Sequence, residues 1–136
     1  MQHIPARLRQ LVLRRSRNRC EYCQLSQAGQ EATFHLDHVR PVAAGGETVA
    51  DNLALACVSC SLRKSAKQTA IDAETKTEVP LFNPRRDTWS EHFQWDGVRV
   101  VGLTATGRAT IETLALNRPL ILAIRREELA LGRHPS

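Results

Sequence analysis

The feature that most narrows what this chain can fold into is a pair of Cys-x-x-Cys knuckles, Cys20-Glu-Tyr-Cys23 and Cys57-Val-Ser-Cys60, which hold all four of its cysteines. Two pairs at this spacing read as four thiolate ligands converging on one metal ion; two disulfide-linked or redox-active pairs are the alternative. Four thiolates make a closed tetrahedral site with no position left for water, so Zn²⁺ in a structural role is expected. The knuckles would clamp both ends of everything between them. A chain with 4% aromatic residues gains much from such a staple, because the binding energy of the metal becomes folding energy.

The clamped segment alternates. Residues 32–39 place Phe34, Leu36 and His38 on one face and His35, Asp37 and Val39 on the other, the pattern of a half-buried strand that Pro41 ends. Residues 41–52 read as a loop bending at Gly45-Gly46, and Leu53 to Cys57 as the returning strand. Cys57 to Lys67 reads as a helix with Leu62 and Ala66 inward and Arg63, Lys64 and Lys67 outward. Ahead of the first knuckle, Ile4, Leu8, Leu11 and Val12 recur at helical spacing over residues 4–18, with Pro5 in the first turn.

That first helix is strongly basic, with six arginines between positions 7 and 19 and no acid among them. A solvated face and a phosphate-binding face are both open readings. The formal net charge is +5 with a pI near 9.5, and sixteen of the nineteen basic residues are Arg, whose planar fork suits bidentate phosphate contact. A polyanionic partner is favoured, with Arg14, Arg15, Arg17, Arg63, Lys64 and Lys67 as the candidate contacts. Met1 to Arg7 lacks the apolar core of a signal peptide, and no run approaches the roughly 18 apolar residues of a membrane span. A soluble, cytoplasmic protein with no membrane partner is expected.

The ordered series CxxC, Asp37-His38, Gly45-Gly46, Asn52-Leu53, CxxC and Lys64 resembles the HNH endonuclease family, whose ββα-metal unit carries these pieces in this order. The resemblance covers residues 20–67. It implies an α+β fold in which a ββα-metal unit is stapled by a four-cysteine zinc site, preceded by a basic helix and followed by a β-hairpin plus helices. It also implies hydrolysis of DNA phosphodiester bonds, RNA not being excluded. His38 would be the general base, a task that suits histidine because its ordinary pKa lies near neutrality. Asp37 would hold a catalytic divalent ion, Mg²⁺ or another. Asn52 would hold the loop that positions His38, its amide donating and accepting at once.

One position departs from the family pattern. After the last cysteine the family commonly has His or Asn as a metal ligand, and here stands Ser61. Either the hydroxyl binds a hard cation directly or through water, or another group substitutes, or the site is inactive. His35 shares Asp37's strand face and could substitute; a strand histidine with an ordinary hydrogen-bond partner is the alternative. A zinc-stabilised nucleic-acid-binding module without catalysis is thus the second functional reading.

Residues 1–67 form the expected nuclease core with its basic helix, 68–80 a polar connector, and 81–136 an extension packed on the core. In the extension, Asp96-Gly97 between apolar runs signals a hairpin. Helices are expected from about Gly107 to Leu116, capped by Thr106 or a neighbour, and from Pro119 to Leu131, stopping near Gly132. Arg85, Arg86 and His92 read as surface residues, with DNA contact, or His92 folding back to the metal, as the alternative.

Overall fold

A computed structural model describes residues 3–135; Met1, Gln2 and Ser136 lie outside the described residues. Helix α1 (Ala6–Arg15) starts after Pro5, whose φ of −58° already fits a helix and whose carbonyl accepts from Leu8 and Arg9. Its buried stripe carries Val12, with Ile4, Leu8 and Leu13 half-buried against the core, whereas Leu11 faces out. Arg17 and Asn18 both take left-handed backbone, with φ of 56° and 57°, and turn the chain back into the first knuckle.

Strands β1 (His35–His38) and β2 (Leu53–Ala56) pair antiparallel with Asp37 opposite Ala54 and His38 opposite Leu53. β2 is buried at every position, lying between α1 and the rest of the molecule, which explains why it reads as a continuous apolar run. The connecting loop contains two short 3₁₀ turns, Val42–Ala44 and Ala50–Asn52. Helix α2 (Val58–Lys64) follows, with the Cys57 sulfur at its N-cap accepting from the Cys60 amide, and Ser65 at φ 50° closes it. The expected ββα unit is therefore present, in shorter elements.

The rotation of α2 corrects the expected faces. Cys60 must point at the cysteine cluster, and Lys64 lies one helical turn later on the same side. Lys64 is consequently 2% exposed, while Leu62, on the opposite side, is 68% exposed. The predicted outward Lys64 and inward Leu62 have exchanged places, and Ala66 is also exposed.

Residues 68–80, expected as a connector, hold an antiparallel hairpin, β3 (Thr69–Asp72) and β4 (Thr77–Pro80). Asp72 is its anchor: Arg108 donates to both carboxylate oxygens at 3.1 and 3.0 Å, and the Thr75 amide and hydroxyl donate to one of them. These partners hold the Asp72 carboxyl well below the usual carboxylate range. After the four-residue helix α3 (Trp89–His92), β5 (Phe93–Asp96) and β6 (Arg99–Gly102) form the hairpin turned by Gly97 at φ +62°. Thr104 caps α4 (Ala105–Thr113) by accepting from the Gly107 amide at 3.0 Å, and α5 (Pro119–Ala130) ends just before Gly132 at φ +76°.

One core runs through everything. It joins Val12 of α1 and Phe34 and Leu55 of the ββα unit to Phe82, Phe93 and Ile121 beyond it. An aromatic seam of edge contacts, Tyr22 on Phe82 and Phe82 on Phe93, stitches the two parts, and the Trp89 indole donates to the Tyr22 carbonyl at 2.9 Å. No helix among the described residues is long and apolar enough to cross a membrane.

Candidate metal centre and active site

The knuckles bring Cys20, Cys23, Cys57 and Cys60 together, all buried and unbridged, with their sulfurs within 4.8 Å of one another. The Cys23 and Cys57 sulfurs are 3.7 Å apart. That is far beyond the about 2.05 Å of a disulfide. It matches the edge, about 3.8 Å, of a tetrahedron whose centre lies about 2.3 Å from each sulfur. The amides of Cys23 and Cys60 point at the sulfurs of Cys20 and Cys57, each at 3.4 Å, and favour the thiolate form.

Left to themselves Cys20, Cys57 and Cys60 conflict. Burial pushes Cys20 up and hydrogen bonds with its neighbours push Cys60 up, while bonds from the other three hold Cys57 below the ordinary thiol range. A divalent cation resolves this by making every thiolate a ligand. The donor set and the spacing fit zinc. Among the described residues this is the one cluster of three or more His, Cys, Asp or Glu able to hold an ion.

Next to the centre lies an open cleft of about 870 Å³, whose lining includes His35, Asp37, His38, Ser61 and Ser65. The period of a strand and the turn of a helix meet here: His35 and Asp37, two apart on β1, face Ser61 and Lys64, three apart on α2. The His35 Nδ1 and Ser61 Oγ are 2.9 Å apart. Asp37 is buried, with its carboxylate 3.2 Å from the Lys64 ammonium and accepting the Tyr22 hydroxyl at 2.9 Å. Burial pushes its carboxyl up against the opposing pull of Lys64 and Tyr22. His38, on the same cleft, has its Nε2 2.8 Å from the Thr48 hydroxyl.

Asn52 ties the loop that His38 leads into. Its Oδ1 accepts from the Arg40 amide at 2.8 Å, and its Nδ2 donates to the carbonyls of Arg40 and Glu47 at 3.0 and 2.9 Å. Gly46 completes the loop, because a Cβ there would lie 1.8 Å from the Arg40 carbonyl oxygen.

Of the predicted nucleic-acid contacts, Arg14, Arg17, Arg63 and Lys67 are exposed. Arg15 donates to the Leu53 carbonyl at 2.7 Å and so also braces α1 on β2. Lys64 is not on the surface at all; it pairs with Asp37 and donates to the His38 carbonyl at 3.2 Å. Arg85 pairs with Glu21 of the first knuckle, whose second oxygen accepts from the Leu55 amide at 2.8 Å. His92 bonds Thr104 at 2.7 Å and does not join the metal cluster. Lys67 lines a second groove, about 420 Å³, with Arg40, Arg85 and Arg86.

Two site residues escaped the sequence. Tyr22 had a signal, since a hydroxyl inside a buried knuckle needs a partner. Thr48 had none, because only the folded loop brings it to His38. A family model described as HNH endonuclease matches residues 20–67. No curated protein and no solved structure matches the chain. The family match begins on the first knuckle cysteine and ends just past α2, so that what is similar to the HNH endonuclease family is the ββα unit with its cysteine cluster, residues 20–67.

Proposed function

We propose that this protein hydrolyses DNA phosphodiester bonds, with His38 as the general base and Asp37 as the anchor of a catalytic divalent cation. The observation that carries the reading is the convergence of His35, Asp37, His38 and Ser61 on one open cleft within the family segment. His38 would take the proton of the attacking water, its ring held by Thr48 and its loop by Asn52. A bound Mg²⁺ or similar ion would supply Lewis-acid stabilisation of the phosphate and leaving oxygen. Such ions are commonly held by one or two carboxylates with the substrate completing the shell, which suits a site offering Asp37 with Ser61 and His35 beside it. A carboxylate has about four lone-pair sites, so Tyr22 and Lys64 leave capacity for the ion.

Zn²⁺ takes the four cysteines and is structural. Free thiols persist in a reducing compartment, and the cytoplasm is the compartment we assign. Residues 1–67 form the catalytic part and 81–136 its support. Arg14, Arg17, Arg63 and Lys67 contact phosphates, joined by Arg15 and by Arg40 and Arg86 along the second groove. The competing reading, a binding module without catalysis, draws on Ser61 and on the compensation of Asp37 by Lys64. Supercoiled plasmid incubated with the protein in Mg²⁺, Mn²⁺ or EDTA separates the two. Metal-dependent nicking is expected; an inert wild type in every cation that becomes active as Ser61→His would establish the degenerate module.

A further inference from the structure

Helix α5 places an arginine where the core would take a leucine. Arg125 is 2% exposed. A single nitrogen of its guanidinium carries its hydrogen bonds, Nη1 donating to the Val98 carbonyl at 2.9 Å and, at the long distance of 3.5 Å, to Asn117 Oδ1. Nε and Nη2 are buried and have no acceptor, and Glu128 Oε1, which lines a crevice shared with Arg125, has no donor. Nor is there a carboxylate within ion-pair distance among the described residues; Glu128, one turn on, belongs to Arg133 at 2.7 Å. The guanidinium does stack on the Trp95 ring, 4.9 Å from its centroid. That contact is weaker than the penalty for a buried ion without a counter-charge.

The missing charge lies at the knuckles. Arg125 and Cys23 line the same crevice of about 10 Å³, which is at the lower limit for even one water. The guanidinium is in electrostatic reach of the sulfurs of Cys23, Cys60 and Cys20, and of the Arg118 cation, which opposes them. We infer that Arg125 is the counter-ion of the four-cysteine metal centre, reaching across from the C-terminal extension to offset the net charge that four thiolates leave around a divalent ion. Four thiolates and one Zn²⁺ carry a net charge of about −2 in a buried site, and a delocalised, weakly hydrated guanidinium is the cation best suited to neutralise part of it there. The extension thereby has a task that its packing alone does not reveal: it holds the metal centre electrostatically.

This inference concerns the metal centre and stands apart from catalysis, so its test reads zinc. Zinc affinity is measured by competition with a chromogenic chelator for the wild type and for Arg125→Met, Arg125→Lys and Arg125→Gln. Arg125→Met keeps the apolar stem and removes the charge. Groups that support metal ligands from outside the ligand set typically alter affinity by about 10- to 100-fold, and a loss of that size is expected for Met and Gln, with Lys retaining most of the affinity. Should the Met variant fail to fold, the Lys and Gln pair decides. Affinity within about twofold of wild type in the Met or Gln variant, or equal loss in Lys and Gln, overturns the assignment.

Discussion

Lys64 shows how much a single residue decides at this site. It supplies the charge that makes a buried Asp37 tolerable, and it does so from the helix that also carries Cys60 and Ser61. Lys64→Met leaves the carboxylate with Tyr22 alone and is expected to destabilise the fold by about 3 kcal/mol, as is typical when one member of a buried pair is removed. Urea unfolding at neutral pH measures this, and Asp37→Asn added to Lys64→Met is expected to restore part of the loss. A single variant as stable as wild type would mean that the pair is not formed in solution. Ser61 carries a different prediction, because imidazole and amide are stronger donors than a hydroxyl. Ser61→His or Ser61→Asn is expected to preserve or raise cleavage at limiting divalent metal, and Ser61→Ala to require more metal. Equal activity in all three would remove Ser61 from the ligand set and leave His35 as the residue to test.

The loop between β1 and β2 is the element on which the proposed catalysis turns. Gly46 lies so close to the Arg40 carbonyl that Gly46→Ala cannot keep the loop, and Asn52 would lose its grip on both Arg40 and Glu47. A steep fall in cleavage is expected with zinc content and duplex affinity near wild type; unchanged cleavage would show that this loop does not position His38. The cleft elements were legible because their chemistry requires fixed spacing: two knuckles, an alternating strand and a glycine bend specify a ββα unit in any register that closes the cluster. The β3–β4 hairpin was not, because seven of the eight strand residues lie outside the core and no alternation marks them. Its one buried residue, Asp72, reads as a surface acid until Arg108 is seen beside it. Lys64 failed for a related reason: lysines are almost never fully buried unless paired, and the pairing is a property of the fold. Likewise, Arg125 falls four residues after Ile121 on the buried stripe of α5, and nothing local shows which charge it meets there.

Across the whole molecule, one hydrophobic core joins the ββα unit to the extension. Both tryptophans, Trp89 and Trp95, lie in the extension, yet Trp89 donates to the knuckle residue Tyr22 and Trp95 stacks under Arg125. Stripping zinc is therefore expected to abolish the near-ultraviolet tryptophan dichroism together with the ββα fold, in a single transition; tryptophan signals that survive zinc loss would show that the extension folds independently. The basic surface predicts binding that is tolerant of sequence and steeply dependent on salt. Replacing Arg14, Arg17 and Lys67 together by Gln is expected to weaken binding to all duplexes alike, and to flatten the slope of log affinity against log salt by about 0.9 for each phosphate no longer neutralised. An unchanged slope would move the interface elsewhere. The central claim is that His38 activates water in a divalent-metal-dependent hydrolysis. It is tested most directly by single-turnover cleavage of a DNA duplex by wild type and His38→Ala in saturating Mg²⁺ or Mn²⁺, with zinc content and duplex affinity measured on the same samples. The predicted result is a rate at least about 100-fold lower in the variant, with zinc and affinity unchanged; cleavage by His38→Ala at the wild-type rate would contradict it.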